Sequence, residues 1–200
     1  MGQYGQSMVD LRYEQGGGPM ADKLFVLAIP DFAPGDRDWM AGARARFGPA
    51  VSVVAPHFTL VFPGHSVSTD TLGNHVQEHV GYQSQFRVRL TAVEVLDSSH
   101  DGANYVALIP TDGFNEILRL HDRLYSELLE QYLRKDLPYK PHLTIGRFEE
   151  RADAARLVEE LRNDEIDIMA KVTELTVAHL SAAELTTVTK IPLGSPPGNG

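Results

Sequence analysis

The chain has 200 residues, 42% hydrophobic and 22% charged, enough to bury a sizeable core as one domain or two small lobes without covalent staples. It contains no cysteine, which excludes a disulfide framework, a cysteine nucleophile and thiolate metal ligands. Eighteen Lys and Arg against 27 Asp and Glu give a formal charge of −9, the wrong balance for gripping long nucleic acid, although a local basic pocket can still take a small nucleotide or a short RNA end.

Residues 1–21 are polar and Gly-rich, with Gly16, Gly17, Gly18 and Pro19 in a row, and predict a flexible leader without the apolar stretch of a secretory signal. Residues 23–29 form a dense apolar run that predicts a buried strand stopped by Pro30. Residues 36–47 predict a helix with Trp39, Ala43 and Phe47 on one stripe. Residues 51–62 predict a strand interrupted at Pro56 and ended by Pro63 and Gly64. A helix follows over residues 69–80, with Ser68 or Asp70 as its cap and Gly81 as its stop. Residues 85–95 alternate, with Phe86, Val88 and Leu90 inward and Arg87 and Arg89 outward, and a turn-rich stretch joins them to residues 105–109 as a hairpin.

The pattern then starts again. A helix is predicted over residues 114–133 with Ile117, Leu120, Leu124 and Leu128 as its apolar face, then a strand over 142–148 and a helix over 153–161. Residues 166–180 and 184–191 predict two last strands, and residues 194–200 a flexible tail. Two similar halves with helices and antiparallel pairs argue an α+β fold of two lobes, as one domain over residues 22–193. No apolar run approaches the ~20 residues of a membrane span, so the expectation is a cytoplasmic monomer with no membrane partner.

One short pattern occurs in each half: Pro56-His57-Phe58-Thr59-Leu60 and Pro141-His142-Leu143-Thr144-Ile145, the histidines 85 residues apart. Residues i and i+2 of a strand share a face, so each half offers an imidazole and a hydroxyl together, with the apolar residues between them turned the other way. Across a shared groove, two imidazoles supply a base for water and an acid for a departing phosphoester oxygen, and two hydroxyls can hold the non-bridging oxygens. A single His-x-Thr carries almost no information and reads as a structural histidine; the repetition, one copy per half, is the signal.

These two motifs resemble the signatures of the two-histidine phosphoesterase superfamily, which includes bacterial proteins called 2′-5′ RNA ligase or RNA 2′,3′-cyclic phosphodiesterase. The resemblance runs over most of the chain, with residues 57–63 and 139–147 closer to a broad bacterial branch than to the ligase-named enzymes. It implies a bilobal pseudo-twofold fold in which two antiparallel sheets face a central cleft with helices outside. It also implies His57 and His142 as the catalytic pair and Thr59 and Thr144 as phosphate-binding hydroxyls. The activity implied is metal-independent hydrolysis of a 2′,3′-cyclic phosphate, on a nucleotide or RNA end, to a 2′-phosphate, with no cofactor. An Arg behind the second motif is common in the family, and Arg147 holds that place; strand parity sets it opposite His142 unless a bulge turns it back, leaving a phosphate ligand and a surface arginine as equal readings. Tyr139 and Lys140 border the motif and either touch substrate or serve packing and solubility.

Other features carry less. His75 and His79 have helical metal-ligand spacing, but no third ligand is evident and a solvated helix face is the better reading. His65, His100 and His121 fall in loop or helix-surface contexts and His179 on a late strand; none is given a role. Arg87 and Arg89 could flank the cleft, or form a solvated strand face. A nucleotide- or RNA-binding module of the same fold without significant turnover, a phosphodiesterase acting on another small nucleotide phosphoester, and a metal hydrolase on His75 and His79 are the competing functions.

Overall fold

The computed structural model describes residues 23–48, 54–97, 102–181 and 184–194. The expected leader and nearly all of the expected tail, with His100 among the sequence candidates, lie outside the described residues.

Strand β1 (Lys23–Ala28) shows why an unbroken apolar run belongs in the middle of a sheet. Leu24, Val26 and Ala28 enter the main core, while Phe25 and Leu27 pack with Ala178 on the other face. After the short β2 (Asp31–Phe32), α1 (Pro34–Phe47) starts at a proline, whose missing N–H costs nothing in the first turn. Its buried stripe is Met40, Ala43 and Arg44, with Trp39 and Phe47 half-buried beside it. β3 (Phe58–Val61) is much shorter than the predicted strand of residues 51–62: Val54 to His57 are not extended pairing partners, and 51–53 lie outside the described residues. Helix α2 (Thr69–Val80) matches its prediction, and the Ser68 hydroxyl accepts from the Thr71 N–H at 3.3 Å.

β4 (Phe86–Asp97) and β5 (Asn104–Asp112) form the predicted hairpin, longer at the far end of each strand. The helix predicted over 114–133 is two elements, α3 (Phe114–Leu124) and a 3₁₀ helix (Glu127–Tyr132). Ser126 Oγ donates to the Arg123 carbonyl at 2.6 Å and Glu127 takes φ +48°, which ends the helical ladder despite the continuing apolar period. β6 (Leu143–Phe148) and α4 (Arg151–Asn163) follow. Residues 166–180 divide into β7 (Ile168–Val172) and β8 (Glu174–Ser181), which belong to different sheets. Thr173 is the crossing point, its carbonyl accepting from Leu193 N–H and its hydroxyl donating to Asp31, both at 2.9 Å. β9 (Glu184–Pro192) completes the chain order.

The two antiparallel sheets run β3-β1-β8-β9 and β2-β7-β4-β5-β6. Read from their motif strands, β3-β1-β8 and β6-β5-β4 have the same layout, the pseudo-twofold relation anticipated from the repeated motif. The helices lie on one side, with α3 packing on β3 and β5, α1 on β6, and α4 on β4, β5 and β6. The packing is crossed: α1, from the first half, backs the second motif strand, and α3, from the second half, backs the first. One large core joins all of these elements. Among the described residues the opposite sheet faces carry small apolar clusters, Phe25, Leu27 and Ala178 on one and Leu96, Ala103, Tyr105, Ala107 and Ile109 on the other. Among the described residues no helix is long and apolar enough to cross a membrane.

Gly113 opens α3 at φ +81°, and a Cβ there would stand 2.6 Å from both the Arg87 carbonyl and Val88 Cγ1. Gly113→Ala should therefore cost about 2–4 kcal/mol and lower Tm by several degrees, as read by thermal unfolding.

Candidate active site

Each motif histidine sits between a proline and the first residue of its strand. His57 Nδ1–H donates to the carbonyl of Ala55 at 2.7 Å, and His142 Nδ1–H donates to the carbonyl of Lys140 at 2.8 Å. A carbonyl can only accept, so both rings carry a proton on Nδ1 and hold Nε2 for an incoming group. The two imidazoles are close enough to interact electrostatically. Burial pushes both down: His57 to about 4, its bond to Ala55 opposing and Arg44 and His142 adding to the effect, and His142 below its usual value, with Lys140 adding to it.

The strands then share an irregularity that strand parity alone does not contain. In β3, Thr59 pairs with Leu27 but Val61 pairs with Val26, so Leu60 is an extra residue. In β6, Thr144 pairs with Ala107 but Gly146 with Val106, so Ile145 is the extra one. Each bulge falls three residues after its histidine and reverses the alternation. Arg147, opposite Tyr105, thereby returns to the face of Ala107 and Thr144. The bulge condition in the sequence reading is met, and Arg147 lies on the Thr144 face, its guanidinium 6.0 Å over the Tyr105 ring and paired with Glu149. Phe62 is the residue at the corresponding place in the first motif.

Both bulges are braced by the helix from the other half. His121 Nδ1–H donates to the Leu60 carbonyl at 2.9 Å, and the Tyr125 hydroxyl accepts from Phe62 N–H at 3.1 Å. Behind the second bulge, a Cβ on Gly146 would lie 3.2 Å from the Phe47 carbonyl of α1. His121 and Tyr125 are the residues sequence reading missed: the helix-surface expectation for His121 is overturned by its burial at 4% exposure. Their signal was present, because Ile117, His121 and Tyr125 recur at i, i+4 and i+8 beside the apolar stripe.

A cavity of about 260 Å³ opens beside His142. It is lined by Phe62 and Pro63, by His121 of α3 and Tyr125 at its C-terminal cap, and by residues between Tyr132 and Lys140. Tyr139 stacks on His121 at 3.8 Å between centroids and meets Phe62 edge-on at 6.3 Å. Its buried hydroxyl finds no hydrogen-bond partner among the described residues, and burial raises its pKa. Lys140 pairs with Glu94, which shares a cross-strand row with Ala107 and Thr144. Thr59 and Thr144 occupy corresponding places on their strands, Thr59 buried and Thr144 half-buried.

The remaining candidates lie elsewhere. His75 is buried, not on a solvated face; its Nε2–H donates to the Leu124 carbonyl at 2.8 Å, and His79 Nδ1–H to the His75 carbonyl at 2.8 Å. Arg89 forms a forked pair with Asp167, and Arg87 is exposed on the same strand face. His65 packs edge-on against Tyr132 at the cavity margin.

Two topologically matched halves, each presenting a His-x-Thr strand, define the two-histidine phosphoesterase class. Residues 32–184 match the family described as the 2′-5′ RNA ligase superfamily, and the chain belongs to it. A Bacillus licheniformis protein with a provisional phosphoesterase name is 28% identical over 104 residues, 52% of this chain and 59% of that relative, so the match spans little more than half its length. E. coli LigT, solved with 3′-AMP, is similar in structure at 20% identity, TM-score 0.59, over 87% of this chain and 99% of LigT. Kluyveromyces marxianus Usb1 matches at 11% identity and TM-score 0.54, over 88% of this chain and all of Usb1's, 100%. At these identities the likeness is one of fold.

Tyr125→Phe should leave Phe62 N–H without its acceptor and cost about 1–2 kcal/mol. Thermal unfolding together with amide exchange at Phe62 checks this: the exchange rate should rise locally more than at β1.

Proposed function

We propose that this protein is a phosphodiesterase that opens a 2′,3′-cyclic phosphate, on a small nucleotide or a short RNA end, using His57 and His142 as an acid–base pair. The observation that carries this reading is the matched presentation of two imidazoles, each held by Nδ1–H to the carbonyl two residues back and each leaving Nε2 for the reacting oxygens. One Nε2 takes a proton from water as its oxygen bonds to phosphorus. The P–O3′ bond breaks, O3′ takes a proton from the other imidazole, and a 2′-phosphate remains. Thr59 and Thr144 donate to the non-bridging oxygens and keep phosphorus in line.

The cavity beside His142 suits the nucleobase. Its lining of Phe62, Tyr132 and Tyr139 offers aromatic surface against which a base can pack. Arg147 stands on the Thr144 face, where it can meet a phosphate oxygen if it exchanges Glu149 for it. Solved structures of LigT with 3′-AMP, NADP+ and ATP support a small-nucleotide ligand for this chain. The chemistry asks for no metal, so turnover should persist in EDTA.

His57→Ala and His142→Ala should each lower kcat by roughly 10²–10⁴ without loss of fold, assayed on each 2′,3′-cyclic mononucleotide and on a short RNA with that end. Equal binding of these substrates by wild type with no turnover would support the binding-module alternative instead. The pH dependence of kcat/KM should be a bell lying on the acid side of neutrality. Both imidazoles are pushed below 6.5, so with rising pH the protonated partner is lost first, and below about 4 the base is protonated. A flat profile from pH 4 to 8 would count against two-histidine chemistry.

A further inference from the structure

The brace at the first bulge occupies only one of the two ring nitrogens of His121. Nδ1–H donates to the Leu60 carbonyl at 2.9 Å, and the ring stacks on Tyr139 at 3.8 Å and lies 4.7 Å from Tyr125. Those contacts fix its orientation, and at 4% exposure the side chain is almost wholly enclosed. Among the described residues Nε2 has no hydrogen-bond partner, yet it is not one of the sealed atoms that lack one, as the Tyr139 hydroxyl is. Nε2 therefore keeps contact with open space, and the space that His121 lines is the cavity beside His142.

The tautomer follows from the partner of Nδ1. A carbonyl only accepts, so Leu60 keeps the proton on Nδ1 and leaves a lone pair on Nε2. Burial pushes the ring's pKa down, against the Leu60 bond and Asp122, which keeps the imidazole neutral at neutral pH. The bulge thus sets a hydrogen-bond acceptor in a cavity whose other lining is largely aromatic and aliphatic. A ligand that closes over Nε2 without a donor leaves it unpaired, whereas one that brings an N–H satisfies it. Base edges differ in this respect. Adenine and cytosine carry an exocyclic amino group where hypoxanthine and uracil carry a carbonyl oxygen, which would set lone pair against lone pair.

We propose that His121 is a specificity-determining residue: through Nε2 it accepts a hydrogen bond from the exocyclic amino group of the base, so the protein takes adenine or cytosine nucleotides in preference to hypoxanthine or uracil ones. The inference rests on the placement of the base in this cavity, proposed above. One imidazole then has two tasks, with Nδ1–H holding the bulge that turns Phe62 and Nε2 reading the base.

The test is hydrolysis of the 2′,3′-cyclic phosphates of adenosine, purine riboside and inosine, and of cytidine and uridine. kcat/KM should be about tenfold or more higher for adenosine than for inosine and for cytidine than for uridine, with purine riboside between the two purines. Indifference in both pairs, or the reverse preference in either, would overturn the proposal. His121→Asn puts an amide N–H near the place of Nδ1, for the Leu60 carbonyl, and no atom at the place of Nε2. In that variant the preference should shrink to within about threefold, chiefly by loss on the amino-bearing substrates; a preference that survives removes His121 from the role. Two readings on wild type need neither the variant nor turnover. Calorimetry should show adenosine 2′-phosphate binding about tenfold tighter than inosine 2′-phosphate. In ring ¹⁵N spectra His121 Nε2 should be unprotonated in the free protein and should shift with the adenosine ligand but not with the inosine one. Equal binding of the two, binding of neither, or an unmoved Nε2 overturns the proposal. The expected binding without hydrolysis of any cyclic phosphate upholds it and places the failure in the proposed reaction.

Discussion

A carbonyl oxygen two residues before each motif histidine fixes the ring that follows it, and the chemistry proposed for the cleft depends on that bond. Because the oxygen can only accept, Nδ1 must hold a proton, and Nε2 is the nitrogen left for another group in both halves. Free imidazoles at the mouth of a groove would sample both tautomers and several rotamers. Here the prolines at positions 56 and 141 limit the backbone of the residues just before them, so the carbonyl is in place without further ordering. In the proposed reaction, acid and base arise from two copies of one local device, and their difference has to come from the surroundings.

The second constraint is the bulge. A regular strand gives one face the residues at even offsets from the histidine, which would place the imidazole and hydroxyl together and send the side chain at offset five to the helices. One extra residue at Leu60 and at Ile145 reverses this and returns Phe62 and Arg147 toward the histidine side. A bulge leaves backbone groups without ladder partners, a cost of about 1–3 kcal/mol for each one buried. His121 and Tyr125 offset that cost in the first motif by taking the Leu60 carbonyl and the Phe62 N–H. The crossed packing, with α3 behind β3 and α1 behind β6, makes each half the support of the other half's motif.

Within this frame the halves diverge in chemistry. Phe62 at one bulge and Arg147 at the other give one motif an apolar neighbour and the other a cation, although both residues occupy the same place relative to their histidine. The aromatic wall lies along one side of the cleft, where Tyr139 stacks on His121, and the Lys140–Glu94 pair stands next to it. A symmetric fold thus gains a direction, which the proposed substrate, with a base at one end and a phosphate at the other, requires. The chain's charge of −9 is irrelevant at this scale, because the cations near the site are few, local and partly shielded from solvent.

What the amino-acid sequence determined by itself is local: the alternation of β4, the cap and stop of α2, the punctuation at Pro30 and Pro63, and the repeated Pro-His-x-Thr that marked the two halves. Each depends on residues within a few positions of one another, so periodicity and composition carry it. Where the outcome depends on distant partners, the local pattern misled. Residues 114–133 keep a helical period, yet Tyr125 turns to Phe62 and the helix ends. Residues 166–180 keep a strand pattern, yet Thr173 passes the chain from one sheet to the other because Asp31 and Leu193 hold it there. His121 looked like a surface residue because nothing near it in sequence shows that Leu60 needs a donor. The bulges, the braces and the cavity were decided only by tertiary structure, since each is a hydrogen bond or a contact between residues the sequence keeps apart.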